Sequence, residues 1–224
     1  MGLDIHVLPL WKYFAGDFLS PVERVFHATQ RLGNPKPAAA NEEARATVKR
    51  VQEMLREFCT GDSTWKDEGD EVFCEQYGYN EFHLLRAYAA EFEALSGKRP
   101  DFDETADPAE NPHLKKIGTG VSSDYRHLIK HSDNEGFWLP IALDRPVLID
   151  PDTYLVAGSS SYLLAELDSL APALGMTRDW LQLASGEYAA PKDDPLGRTK
   201  FSWSVLHAAA RLSVEHGLPI IFDG

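Results

Sequence analysis

The segment from Tyr125 to Glu135 holds residues whose types and spacing could support chemistry. If it forms a strand, His127 and His131 lie on one side of it, and Asp133 and Glu135 follow in the next turn. Two imidazoles and a carboxylate suit zinc, iron or manganese and leave coordination positions for water and substrate. However, residues four apart on a straight strand lie about 13 Å from each other. The spacing therefore argues against the two histidines as joint ligands.

Three interpretations of this segment stay open. A divalent metal has weak support, and we predict no metal ligand and no cofactor. His131, Asp133 and Glu135 are candidate catalytic residues, because imidazole and carboxyl groups can exchange protons with a substrate near neutral pH. The third interpretation is an ordinary hairpin whose polar turn satisfies its own backbone groups.

A second candidate segment leads from a predicted strand into a helix through Gly158, Ser159, Ser160 and Ser161. The free N–H groups and the positive dipole end of a helix attract phosphate or carboxylate, so these four residues are candidate anion-binding residues. The segment has neither the lysine and glycine spacing of a P-loop nor the GxSxG pattern of a hydrolase. Simple N-capping by Ser159 or Ser160 is the alternative.

Acidic residues outnumber basic ones by 35 to 22 in the 224-residue chain, which gives a formal net charge of −13. Much of the excess lies in two stretches, Glu57 to Glu81 and Asp101 to Asn111. Such a field repels phosphate backbones, so nucleic acid is not an expected ligand. We predict a basic protein partner, with solvated loops as the alternative. The candidate partner-binding residues are Asp67, Glu68, Asp70 and Glu71.

Local patterns predict mostly helices in the first half of the chain. Leu3 to Leu8 alternates apolar and polar residues, which indicates a half-buried strand. Capping residues and glycines then predict three helices, from Ser20 to Gly33, from Asn41 to Thr60-Gly61 and from Asn80 to Gly97. The stretch from Asp101 to Gly120 is predicted to be irregular.

The second half begins with two predicted strands, Tyr125 to His131 and Phe137 to Leu143, joined as an antiparallel hairpin by a polar turn. Pro140 indicates an edge position for the second strand. The remaining predicted elements are strands at Val147 to Ile149 and Tyr154 to Ala157, a helix from Ser159 or Ser160 to Leu174, a short helix from Thr177 to Ala184, a loop from Ala189 to Lys200, a helix from near Ser202 to Gly217, and a strand from Leu218 to Phe222.

Helices and strands mix without strict βαβ alternation, which predicts an α+β fold with a small, mostly antiparallel sheet and six or so helices around it. We predict a single domain over residues 1–224, with a helical first half (15–97) and a second region of hairpin and helices (121–224). No apolar run approaches the roughly 20 residues that cross a bilayer, and no secretory signal is evident. Cys59 and Cys74 match no metal or redox motif. The expected location is the cytoplasm.

Four segments resemble a family of uncharacterised proteins encoded in bacterial genomes and in phage-derived regions. They are Met1 to Ile5, HSDNEGFWLP from His131 to Pro140, GSSSYLLAEL from Gly158 to Leu167, and LPIIF from Leu218 to Phe222. The family has no assigned activity, and the resemblance carries over no catalytic or binding residue. It implies a bacterial cytoplasmic protein in which the HSDNEG turn and the GSSS junction lie together.

These observations favour a soluble, non-enzymatic binding or accessory protein with an acidic interaction surface. The alternative is a small hydrolase or transferase that binds an anionic substrate at Gly158 to Ser161, with His131, Asp133 or Glu135 as acid or base. The sequence leaves the oligomeric state open.

Overall fold

A computed structural model describes residues 2–19, 38–132, 135–152, 154–176 and 193–223. Six strands in these residues form one sheet in the spatial order β2-β1-β6-β3-β5-β4. Neighbouring strands are antiparallel except for β3 and β5, which are parallel. The strands are β1 (Gly2–Val7), β2 (Phe73–Gly78), β3 (Glu135–Leu139), β4 (Val147–Asp150), β5 (Leu155–Ser159) and β6 (Ile220–Asp223).

Helices cover both faces of this sheet. In the described residues they are α1 (Leu10–Ala15), α2 (Ala38–Leu55), α3 (Tyr79–Ala94), α4 (Pro112–Gly118), α5 (Arg126–Ile129), α6 (Ser160–Leu174) and α7 (Gly197–His216), with a 3₁₀ turn at Pro108–Glu110. None of them is both long enough and apolar enough to span a bilayer, within the part of the chain that is described.

Period-two alternation along the strands divides the core between the two faces of the sheet. On one face, Trp138 and Phe222 are fully buried with the apolar sides of α3, α6 and α7. On the other face, Phe137 and Ile221 are fully buried with α1 and α2. Burial of each such side chain stabilises the folded state by about 1.5–3 kcal/mol. The helices on both faces of the sheet provide this burial.

The predicted fold class is confirmed, since the structure is an α+β fold with a mixed, mostly antiparallel sheet. The predicted strands at both chain ends form β1 and β6, which are direct neighbours. Ser159, one of the two residues predicted to cap α6, is its N-cap. Gly217 follows the last residue of α7 and has the left-handed backbone conformation. The single-domain assignment over residues 1–224 stays a prediction.

The predicted strand from Tyr125 to His131 is wrong, because its centre forms the short helix α5. The Glu166 side chain accepts hydrogen bonds from the backbone N–H groups of His127 and Leu128, at 2.9 and 2.8 Å. It thereby satisfies two donors that a helix N-terminus leaves without an intrahelical partner. A side chain 38 to 39 residues away decides the local structure here.

The predicted hairpin is also wrong, because β3 pairs with β5 and β6 instead of with the preceding segment. Consequently β3 lies inside the sheet and not at its edge. Pro140 follows the last residue of β3, so its missing N–H removes no hydrogen bond from the strand.

Several element boundaries differ from the prediction. The stretch predicted to be irregular contains α4, whose N-terminus Asn111 caps through its side chain. Helix α2 includes Asn41 and ends at Leu55, α3 begins at Tyr79 after Gly78, and α7 begins at Gly197 inside the predicted loop. The predicted helices at Ser20 to Gly33 and Thr177 to Ala184 lie outside the described residues.

Gly158 provides a test of the packing between β3 and β5. A Cβ atom on Gly158 would lie 2.5 Å from Cδ1 of Trp138 and 2.8 Å from Cδ2 of His131, and both rings are buried. We therefore expect Gly158→Ala to lower the free energy of unfolding by about 2 kcal/mol, within the usual range for an overpacked core. Urea denaturation measures the change.

Gly118→Ala is the matched control, because a Cβ atom on Gly118 would meet nothing within 4 Å. Its position in α4 favours alanine by up to about 1 kcal/mol. Equal stability of the Gly158→Ala and Gly118→Ala proteins would contradict the packing argument.

Candidate functional site

His131 lies in the protein interior with a side chain that is 2% exposed. Its ring stacks on Trp138 with the ring centroids 3.5 Å apart. Nδ1 lies 3.1 Å from the Ser132 carbonyl oxygen, and Nε2 lies 3.1 Å from that of Phe137. Burial lowers the pKa of His131 to about 4, although the neighbouring carbonyls favour the protonated ring. These contacts hold the backbone around β3.

The catalytic assignment of His131, Asp133 and Glu135 stays a prediction. Among the described residues, the contacts of His131 are those of a core residue, namely two backbone carbonyl oxygens and the Trp138 ring. Asp133 lies outside the described residues, and only the backbone of Glu135 is described, as the first residue of β3.

Ser159 is fully buried and serves as the N-cap of α6. Its Oγ accepts a hydrogen bond from the Tyr162 N–H at 3.2 Å and donates one to the Ile141 carbonyl oxygen at 2.6 Å. Its backbone N–H donates to Nδ1 of His127 at 3.1 Å. The Ser159 hydroxyl, the Ser159 N–H and the Tyr162 N–H therefore have partners within the protein.

The other candidate anion-binding residues are divided between core and surface. Ser160 is fully buried, and its Oγ accepts a hydrogen bond from the Ser213 hydroxyl at 2.8 Å. Gly158 lies against Trp138, whereas Ser161 is exposed. Anion binding at Gly158 to Ser161 stays a prediction, and the geometry lends it no support.

The HSDNEG turn and the GSSS junction do lie together. The parallel register of β3 and β5 places Trp138 opposite Gly158 and Leu139 opposite Ser159. The two segments meet through buried packing, because the His131 ring occupies the space where a side chain at Gly158 would lie. Their proximity therefore builds the core of the sheet.

A cavity of about 530 Å³ opens beside α5, and Glu166 and His127 form part of its wall. Glu166 is 8% exposed. Burial raises the pKa of Glu166 to about 8, even though the two N–H groups that it accepts from favour the ionised form. Burial likewise lowers the pKa of His127 to about 3. Glu166 was not among the candidate residues, although Leu163 and Leu167 on the same helix indicate that this position faces inward.

The acidic loop (Asp67 to Glu71) is fastened to the rest of the protein by its own carboxylates. Asp67 accepts a hydrogen bond from the Trp11 N–H at 3.3 Å, and Glu71 contacts Nδ1 of His6 at 2.6 Å. Asp67 and Glu71 therefore have structural roles in this loop.

Glu68 and Asp70 extend outward from the same loop, with side chains that are 79% and 105% exposed. Glu68 pairs with Arg45 at 2.7 Å, and Asp70 lies 3.9 Å from the Lys12 ammonium. Their negative charge is thus offset in part by the protein's own cations. Partner binding by Asp67, Glu68, Asp70 and Glu71 stays a prediction.

The second acidic stretch forms an acidic groove of about 260 Å³ between α3 and the 3₁₀ turn. Asp103 accepts hydrogen bonds from the N–H and the hydroxyl of Thr105, at 2.8 and 2.7 Å. These bonds lower the pKa of Asp103, so its carboxyl stays ionised. Five carboxylates line the groove, from Glu91, Asp101, Asp103, Asp107 and Glu110.

Comparison with known proteins gives one finding on ancestry. The model of a family described as "Putative DNA-mimic protein" matches residues 1–222. No curated protein and no solved structure matches the chain.

This match corrects the expectation about partners. The acidic composition predicted a basic protein as partner and argued against nucleic acid as a ligand. A DNA mimic resembles nucleic acid in its charge, so the family description connects the chain to proteins that bind DNA. The negative charge that argued against nucleic acid as a ligand is the property that a mimic needs.

The buried titratable groups predict that the protein is most stable near pH 6.5. Below this pH the unfolded chain binds protons on His127 and His131, whose pKa values fall to about 3 and about 4 in the folded state. Above it, the Glu166 carboxyl keeps its proton up to about pH 8 only in the folded state. Stability therefore falls on either side, by at most about 1.4 kcal/mol per pH unit for each proton.

Urea denaturation between pH 4.5 and 8.5 tests this expectation, with Glu166→Gln as the informative variant. Removing the ionisable group should abolish the fall in stability between pH 6.5 and 8. It should also steepen the rise between pH 4.5 and 6.5, where the Glu166 carboxyl of the wild type opposes the effect of the two histidines. An alkaline fall of equal size in the variant would show that another group causes it.

Proposed function

Because the chain belongs to the DNA-mimic family whose model it matches, we propose that it acts by presenting carboxylates to the DNA-binding site of a protein. Duplex DNA carries one negative charge per about 1.7 Å of its axis. A protein that competes with it must offer several ionised groups close together. The formal charge of −13 supplies such groups in excess.

The acidic groove is the observation that carries this proposal. Glu91, Asp101, Asp103, Asp107 and Glu110 share one concave surface. From Asp101 to Glu110 the chain contains no lysine or arginine. Lysine and arginine side chains that contact phosphates on DNA could pair with these carboxylates in the same way.

The groove holds its charges in place by backbone geometry. Asp107 accepts a hydrogen bond from the Ala109 N–H at 2.9 Å, and Asp103 accepts from Thr105 as described. Hydrogen bonds of this kind fix a carboxylate without cancelling its charge. Glu110, by contrast, pairs with Lys115 at 2.6 Å. Fixed side chains lose less conformational entropy when a partner binds.

The outward residues Glu68 and Asp70 of the acidic loop form a second, weaker candidate contact. Arg45 and Lys12 must release them, or tolerate a competing cation, before a partner can pair with them. A partner that binds DNA shares a compartment with DNA. We therefore propose a soluble protein in the same compartment as DNA, which in a bacterial cell is the cytoplasm.

Charge removal without a change of shape tests the groove. In the triple variant Asp101→Asn, Asp103→Asn and Asp107→Asn, each asparagine keeps a side-chain oxygen that can accept the turn hydrogen bonds. The partner for this test is a DNA-binding protein recovered on the immobilised wild-type chain, and the measurement is the displacement of labelled duplex DNA from that partner. Exposed ion pairs contribute about 0.2–1 kcal/mol each, so we expect the triple variant to displace the DNA roughly tenfold more weakly than the wild type does.

The matched control removes three charges elsewhere, through Glu42→Gln, Glu43→Gln and Glu53→Gln on the exposed side of α2. It changes the net charge by the same amount and should displace DNA as wild type does. Equal loss in both variants would mean that total charge alone drives binding. Displacement by polyglutamate at the same charge concentration would support that conclusion and contradict a specific groove.

The acidic loop is tested separately with Glu68→Gln and Asp70→Asn. Because Arg45 and Lys12 already offset these charges, we expect less than about a threefold loss of displacement. A loss larger than that of the groove variant would make the loop the principal contact.

A further inference from the structure

A cluster of three metal-binding residue types lies where the acidic loop joins the sheet. His6 on β1 is directly opposite Cys74 on β2, so both side chains lie on the same face of the sheet. Glu71 precedes β2 by two residues. The cluster lies on the face that α1 covers, and the Phe18 ring packs against the His6 ring with the centroids 5.0 Å apart.

The three side chains are close enough to share one ion. One ligand atom from each of His6, Glu71 and Cys74 lies within 4.8 Å of the other two. The His6 side chain is fully buried and the Glu71 side chain is 13% exposed, while Cys74 is half-buried. The partial exposure of Glu71 and Cys74 leaves a route for an ion from solvent.

We propose that His6, Glu71 and Cys74 bind a zinc ion, with water as the fourth ligand. An imidazole nitrogen, a carboxylate oxygen and a thiolate together are the donor set that zinc uses in proteins. Calcium and magnesium prefer oxygen ligands alone, so they do not fit this cluster. An arrangement with three protein ligands and water is open, and it suits an ion that enters from solvent.

Zinc binding requires a small local rearrangement. Nδ1 of His6 and Oε1 of Glu71 lie 2.6 Å apart, which is the distance of a hydrogen bond that holds a proton between them. Ligand atoms on a tetrahedral zinc are about 3.3 Å apart, given bonds near 2.0–2.2 Å. The ion therefore takes the place of that proton at Nδ1, the neutral ring carries its proton on Nε2 instead, and the two atoms separate by about 0.7 Å. The Cys74 thiol loses its proton to water and becomes the sulfur ligand.

The proposed site would join the end of the acidic loop to β1. Glu71 is the last residue of that loop, and the Val72 N–H donates to the Val7 carbonyl oxygen at 2.9 Å. A bound ion would strengthen this junction and hold Glu68 and Asp70 in place. The zinc site does not depend on the DNA-mimic proposal, since its evidence is the ligand cluster alone.

Cobalt titration of the reduced, full-length chain tests the site, because Co²⁺ replaces Zn²⁺ and its spectrum reports the ligands. We expect one Co²⁺ per chain, visible bands typical of tetrahedral coordination, a thiolate-to-cobalt charge-transfer band in the near ultraviolet, and loss of all bands when Zn²⁺ is added. Failure of the wild-type chain to show a charge-transfer band overturns the proposal without reference to any variant.

Variants identify the ligands, and circular dichroism confirms that each one folds. Cys74→Ser should abolish the charge-transfer band and weaken Co²⁺ binding at least tenfold. Glu71→Gln, which preserves shape, should weaken binding to a similar degree while the band persists at saturation. Cys59→Ser is the matched control and should behave as wild type, since Cys59 pairs with Leu143 in a separate β-bridge. A band that survives Cys74→Ser, or disappears in Cys59→Ser, overturns the assignment.

Discussion

The contact on which the rest of the structure depends is the stacking of the His131 ring on Trp138 beneath Gly158. The glycine leaves the space that the histidine ring fills, which allows β3 and β5 to approach in parallel register. Trp138 in turn donates its indole N–H to the His127 carbonyl oxygen at 2.9 Å and so holds α5. A buried polar ring is stabilising only when its nitrogens find partners. The neutral His131 ring has one N–H, which donates to one of the two carbonyl oxygens that lie 3.1 Å from its nitrogens.

Glu166 completes this arrangement from the other side of α5, and it explains where sequence patterns fail. The polar turn after His131 and the apolar run beyond it favour a strand from Tyr125 to His131, although Tyr125, Leu128 and Ile129 have helical spacing. Strand hydrogen bonds need a neighbouring strand, however, and Glu166 offers two acceptors to the same backbone. Tertiary contacts override local propensity wherever they satisfy the backbone better. Such a contact is invisible to any window of adjacent residues.

Elements with complete local signals were predictable. Ser159 as a cap and the leucines of α6 identify that helix, and alternation identifies β1. The Asn111-Pro112 pair also has the pattern of a helix start, although the stretch from Asp101 to Gly120 was predicted to be irregular. The sheet order was not predictable, because the pairing of β1 with β6 joins the two ends of the chain.

The net charge includes every carboxylate, whatever that carboxylate contacts. The two acidic stretches differ in the contacts that their carboxylates make within the protein. In the acidic loop, Asp67 and Glu71 bind the fold and Glu68 lies against Arg45. In the groove, Asp103 and Asp107 use backbone N–H groups, which orient a carboxylate and leave its charge available. The loop is the denser acidic run in the sequence, yet the groove retains more usable charge. An interface that imitates phosphates needs charges that are both fixed and uncompensated, and only contacts in three dimensions distinguish these from carboxylates already paired within the protein.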